Sequence, residues 1–344
     1  MTKHRVHLIR TVSCCLGALL CLAPALVHAQ AAEQQAAPGA TESFRTSWGD
    51  PDLQGVWTTD VMRPVPLQRP EELGERAELS AEEHAARAED EARLLRDDKA
   101  EVPRREFPDG GPSHWYEYPE DPSDRTSLII DPPDGRLPPF TQGAQLRTID
   151  PGTQVSFFGG SYDSTTPKYG PEDFNLNDRC ISRGLPNTWV PSIYNNGFQI
   201  VQHPEYVVVI YERMHEYRVI PLDGREALNQ DVRQYLGDSR GHWEGDTLVV
   251  EVTNFSDDTT YRRSGAARRL TERYTRVDAD TVRVEFTVDD PTTWTSSWTA
   301  AVEGKRDPNY WQIFEYACHE GNIQLGFMIS ASQHEHEAEA DAGR

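Results

Sequence analysis

The stretch YVVVIYERMHEYRVIPLDG, residues 206–224, begins as an apolar strand and then becomes charged. Its apolar run is followed within seven positions by five titratable side chains, Glu212, Arg213, His215, Glu216 and Arg218. Because alternate residues of a strand share a face, a strand spanning 206–220 has two faces that are both apolar first and charged later. Such a strand is expected to begin in the packed core and to continue into a water-filled cavity or its rim.

Other strand-like runs surround this stretch. They cover 198–202, 247–255, 269–277, 281–288, 294–302 and 310–317, and turn signals such as WEGD, DAD and DDP separate them. Consecutive strands with short connections favour antiparallel pairing. A meander of this kind removes its exposed edges by closing on itself. We therefore predict an all-β fold, an antiparallel meander closed into a lipocalin-like barrel.

The predicted barrel domain spans 48–330 and carries a helical and Pro-rich insertion at 64–125. Within the insertion, 80–100 has the composition of a helix, with Ser80 as its N-cap and Glu83 completing a capping box. The Ala/Gln/Glu-rich segment 30–47 is predicted to be a disordered spacer, and 331–344 a disordered acidic tail.

The first 29 residues have the pattern of an export signal. Lys3, Arg5 and Arg10 precede an apolar run, and Val27-His28-Ala29 offers small residues before a cleavage site. We therefore predict a Sec-type signal peptide cleaved after Ala29, no integral membrane segment after processing, and a periplasmic or secreted protein.

The net charge restricts the partners. The chain has 34 Lys+Arg against 56 Asp+Glu, and loss of the signal changes the formal charge from −22 to −25. This much negative charge opposes binding to nucleic acid or to anionic lipid surfaces. A small-molecule substrate is the expected partner, and the sequence does not determine the oligomeric state.

Two of the five cysteines, Cys180 and Cys318, remain after the signal is removed. In an oxidising compartment a lone pair favours a disulfide, with two free thiols as the alternative. A bridge would place the segment DRCISRGLP, 178–186, beside FEYACHEGN, 314–322.

Three segments together carry a resemblance: WGDPDLQGVWT (48–58), GDSRGHWEGDTLVVEVTNF (237–255) and ERYTRVDADTVRVEFTVDDPTTWT (272–295). They resemble a group of exported proteins of unassigned function in environmental bacteria. The resemblance implies export and an all-β fold, and matches Glu212-x-x-His215 before the IPLDG turn. Where that group often has a His before the ERY motif, this chain has Arg268 and Arg269. Gly55-x-Trp57 also resembles the opening of lipocalin-type barrels.

The charged half of 206–224 is the first candidate site. An imidazole titrates near neutral pH, and a neighbouring carboxylate can orient it. An arginine can bind an oxygen-rich substrate or stabilise developing negative charge. His215 as acid or base, Glu212 as its orienting partner and Arg218 as the cation are therefore candidates for acid–base catalysis. An ion-pair ladder between neighbouring strands is the structural alternative.

The segment EYACHEGN, 315–322, is the second candidate. Tyr316 and His319 are possible proton donors and Glu320 a substrate ligand, held in place by the disulfide. A polar turn that caps the barrel is the alternative. Further candidate substrate-binding residues, each with a structural alternative, are Arg125, Arg179, Asn254, His242 and Trp57.

Known cofactor motifs are missing from the sequence. It has no Gly-rich phosphate loop, nucleophile elbow or dinucleotide fingerprint. A metal site built from Glu212 and His215 with His203, His242 or His319 is conceivable, but it requires these residues to meet in space. We predict neither cofactor nor metal.

Two hypotheses follow for the function. The first is an exported, cofactor-independent lyase, isomerase or hydrolase that acts on a small oxygen-rich substrate, sugar-derived or phenolic. The second is a periplasmic lipocalin-like binding or carrier protein. Convergence of His215, Glu212, an arginine and 316–322 on one pocket favours the enzyme, whereas a deep apolar interior favours the carrier.

Overall fold

A ten-stranded sheet dominates the computed structural model, which describes residues 44–99, 116–147 and 168–342. The strands are β1 (Gly55–Thr58), β2 (Ile129–Asp131), β3 (Gly197–His203), β4 (Tyr206–Tyr211), β5 (Tyr217–Pro221), β6 (Asp238–Glu244), β7 (Thr247–Thr253), β8 (Arg269–Asp278), β9 (Thr281–Asp289) and β10 (Trp298–Lys305). Their order is β5-β4-β3-β1-β10-β9-β8-β7-β6, with β2 paired to β10, and every strand pair is antiparallel. The all-β prediction is confirmed.

Alternation of apolar residues explains the strands. In β9, Val282, Val284, Phe286 and Val288 are buried, while the residues between them are partly exposed. Leu270 and Tyr274 of β8 lie opposite Val288 and Val284 on the same buried face. A period of two with one buried face fixes the register, because a one-residue slip would expose the whole apolar set.

The stretch 206–220 is not the single strand predicted from its sequence. It forms the hairpin of β4 and β5, in which Val209 lies opposite Arg218 and Val207 opposite Ile220. The charged residues fall at the turn, where Met214 and His215 have φ angles of 63° and 51°. The change in composition therefore marks a reversal of the chain.

The backbone ladder is open between β5 and β6, the two ends of the strand order. Side chains join these edges instead. Arg218 Nη1 of β5 donates to Ser239 Oγ of β6 at 3.3 Å, and a Cβ added to Gly241 would lie 2.8 Å from Ile220 Cγ2. The prediction of a hydrogen-bonded, closed barrel is therefore not confirmed.

Helices lie outside the sheet. They are α1 (Ala81–Lys99), α2 (Gln142–Leu146), α3 (Cys318–Gly321) and α4 (Gln324–Ala342), with 3-10 turns at Asp60–Met62, Glu71–Leu73, Pro171–Asp173, Asn187–Trp189 and Arg213–His215. The predicted capping box of α1 is present, because the Glu83 N–H donates to Ser80 Oγ at 3.3 Å and the Ser80 N–H to Glu83 Oε2 at 2.8 Å. The helix α4 continues to Ala342 and thus covers most of the segment, 331–344, that the sequence predicts to be a disordered tail. Its Ala, Glu and Gln residues are good helix formers.

Other boundaries also differ from the sequence prediction. Strand β6 was not predicted, because its segment contains Gly241 and several polar residues. The segment 310–317, predicted as a strand, contains no strand and no helix. The predicted export signal, and the spacer as far as residue 43, lie outside the described residues. Within 44–99, 116–147 and 168–342, no helix has both the length and the apolar character needed to cross a membrane.

Candidate functional site

A cleft of about 750 Å³ opens beside the disulfide. Three segments supply most of its wall: 177–180, 194–195 and 315–324. Glu117 contributes a carboxyl group from a distant part of the chain. The lining therefore combines tyrosine rings, amides and carboxyl groups, which suits a small polar ligand.

The predicted disulfide joins two of these segments. The Cα atoms of Cys180 and Cys318 lie 5.7 Å apart, and 138 positions separate them in sequence. Asn322 adds a second link, because its Nδ2 donates to the Asp178 carbonyl at 2.8 Å. The segments around the two cysteines thus form one structural unit, as the sequence analysis expected.

His215 connects this unit to the hairpin turn. The Tyr316 backbone N–H donates to His215 Nε2 at 2.9 Å, so this geometry assigns the proton of a neutral ring to Nδ1. The imidazole is exposed and is absent from the cleft lining. His215 therefore contacts the segment 315–322, but its ring binds the Tyr316 backbone and does not line the cleft.

Replacing both cysteines, as Cys180→Ser with Cys318→Ser, should lower the free energy of unfolding by about 2–5 kcal/mol, because the bridge closes a long loop in the unfolded chain. Urea unfolding followed by tryptophan fluorescence measures this difference. Wild-type protein unfolded in reductant is the matched control and should show the same loss. A change below about 1 kcal/mol would mean that the bridge does not hold the two segments.

Three carboxyl groups lie together at the Glu117 side of the cleft. Asn196 Nδ2 donates to Asp60 Oδ1 at 2.8 Å and to Glu117 Oε2 at 3.5 Å. Burial, followed by the negative charge of Asp60, raises the pKa of Glu117 to about 9, and Glu212 adds to this effect. Glu117 is therefore a protonated acid at neutral pH and lines the cleft.

Glu212 lies behind this group with an exposure of 1%. It accepts hydrogen bonds from the Tyr310 hydroxyl and, at 3.4 Å, from the Gly197 N–H. A Cβ at position 197 would overlap the Tyr310 hydroxyl, so this contact requires glycine. Burial raises the pKa of Glu212. The side chain supports the site without lining the cleft.

Two tyrosines form another wall of the cleft, and the guanidinium of Arg213 packs against their rings. The rings of Tyr194 and Tyr316 stack with centroids 6.4 Å apart. The Arg213 guanidinium lies 4.7 Å from the Tyr194 centroid and 5.7 Å from that of Tyr316, and its Nη1 donates to Ser192 Oγ at 2.6 Å. Burial raises the pKa of Tyr194 to about 12, so its hydroxyl remains a hydrogen-bond donor.

Arg218 points elsewhere, into the interior of the sheet. Its Nη2 donates to Glu272 Oε2 at 2.7 Å, to the Tyr211 hydroxyl at 2.6 Å and to the Tyr274 hydroxyl at 2.9 Å. Trp189 Nε1 donates to the other Glu272 oxygen at 2.7 Å. These hydrogen bonds give the buried charges of Arg218 and Glu272 partners within the protein. Arg218 is not part of the cleft lining.

Two other predicted substrate ligands bind backbone instead. Arg125 donates to the carbonyls of Ala301, Ser127 and Leu128 at 2.7–2.9 Å, and thus ties its loop to β10. Asn254 donates to two loop carbonyls, at 228 and 229, at 3.0 Å. Neither contributes to the cleft lining.

The remaining candidates lie in three settings. Trp57 is fully buried, and its Nε1 donates a hydrogen bond to the Leu53 carbonyl. His242 is exposed, and its Nε2 lies 3.2 Å from Glu244 Oε1. His319 and Glu320 are exposed in the short helix α3 beside the cleft, and Arg179 directly precedes Cys180. These five residues are also absent from the cleft lining.

The described ranges contain no group of three or more His, Cys, Asp or Glu side chains arranged to hold a metal. His203, one of the conceivable ligands, stacks on Tyr206 with ring centroids 4.6 Å apart. No protein-family model matches the chain, and no curated protein matches it significantly.

Several residues of the site were not predicted from the sequence. Glu117, Tyr194 and Asn195 all line the cleft, yet each lies outside the motifs that drew attention. The only signal was the aromatic and polar composition of Tyr116-Glu117-Tyr118 and Tyr194-Asn195-Asn196. Such composition occurs in many loops, and it became informative only when the fold brought these segments to the disulfide.

Proposed function

We propose that this protein is an exported, cofactor-independent acid–base enzyme whose active site is the cleft beside Cys180 and Cys318. Its substrate is a small oxygen-rich molecule, sugar-derived or phenolic. One observation carries the proposal: the cleft wall contains Glu117, a carboxyl group kept protonated at neutral pH by burial and by Asp60. Perturbed acids in clefts are typical of catalytic sites.

Glu117 is the proton donor in this proposal. It transfers its proton to a substrate oxygen, either a leaving hydroxyl or a carbonyl, and Asp60 stabilises the proton between cycles. The Tyr194 hydroxyl donates a hydrogen bond to the same substrate. General acid catalysis by a positioned side chain contributes roughly 10²–10⁴-fold to a rate.

The base is one of two other carboxyl groups that line the cleft, Asp178 or Glu315. In a lyase it removes a proton from carbon while the C–O bond breaks and water leaves. In an isomerase it removes a proton that returns to a neighbouring atom, and in a hydrolase it deprotonates the attacking water. These three reactions require the same pair of groups.

His215 and Glu212 act as positioning residues in this scheme. His215 positions Tyr316 by accepting a hydrogen bond from the Tyr316 backbone N–H. Glu212 accepts a hydrogen bond from the Tyr310 hydroxyl and so holds this side chain beside Gly197. The scheme assigns no catalytic step to Arg218, His319 or Glu320.

The carrier hypothesis requires an apolar cavity inside the sheet. The interior is instead occupied by large side chains of at most 2% exposure, including Trp57, Trp189, Trp298 and Phe286. We infer that the sheet is a lipocalin-like barrel with a filled interior, whose β5 and β6 edges meet through side chains. The acid–base cleft outside it is the better candidate site.

A conversion screen tests the function. Purified, disulfide-intact protein is incubated with a library of sugar acids and phenolic compounds, and the mixture is followed by mass spectrometry and NMR. The proposal predicts many turnovers of at least one compound to an isomer or to a product of water loss or addition. A compound retained unchanged at one molecule per protein would support the carrier and contradict the enzyme.

A further inference from the structure

A second, much smaller cavity lies behind the wall of the cleft. Its volume is about 10 Å³, which matches the space needed for one water-sized atom. Arg183, Arg213, Asn196 and Thr59 are among its lining residues. Asn195 lines both this cavity and the larger cleft, so it forms the partition between them.

Arg183 is a buried cation at this cavity. It is 3% exposed, and its Nε has no hydrogen-bond partner among the residues that the structure describes. Burial first, and then the like charge of Arg213, lowers the pKa of Arg183 to about 9, so the group remains charged at neutral pH. A buried charged donor without a partner is costly, which makes the position unusual.

Arg213 brings a second guanidinium to the same cavity and is also 3% exposed. The carboxyl group of Glu216 acts on Arg183 and favours its charged form. Glu216 already accepts hydrogen bonds from the Ser182 hydroxyl and the Arg183 backbone N–H, and burial raises its pKa to about 7. Glu216 is therefore only partly ionised at neutral pH.

We propose that the cavity between Arg183 and Arg213 is a binding site for one monovalent anion. Guanidinium groups bind halide ions and carboxylate oxygens through charge-assisted hydrogen bonds. The anion is either a free halide or one oxygen of a carboxylate that reaches past Asn195 from the cleft. This site goes beyond the proposed function, because it binds its anion whether or not the cleft performs catalysis.

Bromide, formate and sulfate distinguish these cases at matched ionic strength. Calorimetric titration should show saturable binding of bromide to the wild-type protein, and anomalous diffraction from a bromide-soaked crystal should place the ion between Arg183 and Arg213. Formate that competes with bromide identifies a carboxylate-accepting site, whereas bromide binding without competition identifies a halide site. Sulfate, which is larger and divalent, should not compete.

Arg183→Gln should weaken bromide binding by about tenfold or more. Arg179→Gln, four residues away and outside this cavity, is the matched control and should bind as wild type. If Arg183→Gln does not fold, Arg183→Lys and the wild-type crystal decide the question. Absence of an anomalous peak in the cavity, or unchanged binding in a folded Arg183→Gln protein, would overturn the proposal.

Discussion

The Glu117→Gln variant should turn over substrate at least about 100-fold more slowly than the wild type while remaining folded, because an amide of nearly the same shape cannot donate the carboxyl proton. The compound identified by the conversion screen supplies the assay, with kcat as the readout. Glu120→Gln, an exposed change three residues along the chain, is the matched control and should leave kcat unchanged. Equal kcat values for all three proteins would remove Glu117 from the mechanism.

The same variant should alter the pH dependence of stability. The folded-state pKa of Glu117 is raised from 4.5 to about 9, so its contribution to stability is fully present below pH 4.5 and is lost as the pH rises toward 9. Glutamine does not titrate. The wild type should therefore lose a few kcal/mol more than Glu117→Gln between these pH values.

Urea unfolding across this pH range measures that difference. Glu212 and Glu216 also have raised pKa values, but both remain in the variant, so the difference between the two proteins reports Glu117 together with its interactions with Asp60 and Glu212. Parallel curves of stability against pH would show that Glu117 titrates like an exposed carboxylate.

Arg218→Met should cost about 3–5 kcal/mol of unfolding free energy, because it leaves Glu272 buried without its cation. Glu272 is fully buried and bonded to Arg218, Tyr274 and Trp189. Urea unfolding of the single variants and of the double variant Arg218→Met/Glu272→Leu gives the coupling energy. The double variant should lose less than the sum of the single losses, since it removes both charges together.

Additive losses would contradict a direct Arg218–Glu272 interaction. Turnover separates this structural role from the catalytic role that the sequence suggested for Arg218. Because the network lies away from the cleft lining, Arg218→Met should keep near-wild-type kcat at temperatures where it is folded. A large loss of kcat in fully folded protein would return Arg218 to the mechanism.

The sheet could be predicted because its strands bury one face. The residues of β9 alternate so regularly that both their conformation and their buried side follow from the sequence. The hairpin of β4 and β5 could not be predicted in the same way. Its turn contains Met214 and His215 with positive φ and no glycine or proline, so the usual signals of a turn are missing.

The position of Arg218 follows from that unpredicted turn. In one continuous strand, Arg218 and Glu212 would share a face. In the hairpin, Arg218 lies opposite the buried Val209 and enters the interior, whereas Glu212 remains at the turn. A local error in secondary structure thus changed the role of a charged residue.

The site was predicted only where a covalent constraint supplied a long-range contact. The two cysteines alone were enough to bring the segments around them together. No comparable constraint linked Glu117 or Tyr194 to the cleft. Their pKa values are raised mainly by burial, which is a property of the folded protein and has no local pattern in the sequence.

The most direct test of this account is an infrared titration of the carboxyl groups in wild-type protein and in Glu117→Gln. At pH 7 the protonated-carboxyl absorbance of the wild type should exceed that of the variant by one carboxyl group, because Glu212 and Glu216 contribute to both proteins. This difference should disappear as the pH passes about 9. Identical carboxyl bands in the two proteins at pH 7 would contradict the account, because the cleft would then have no stored proton to donate.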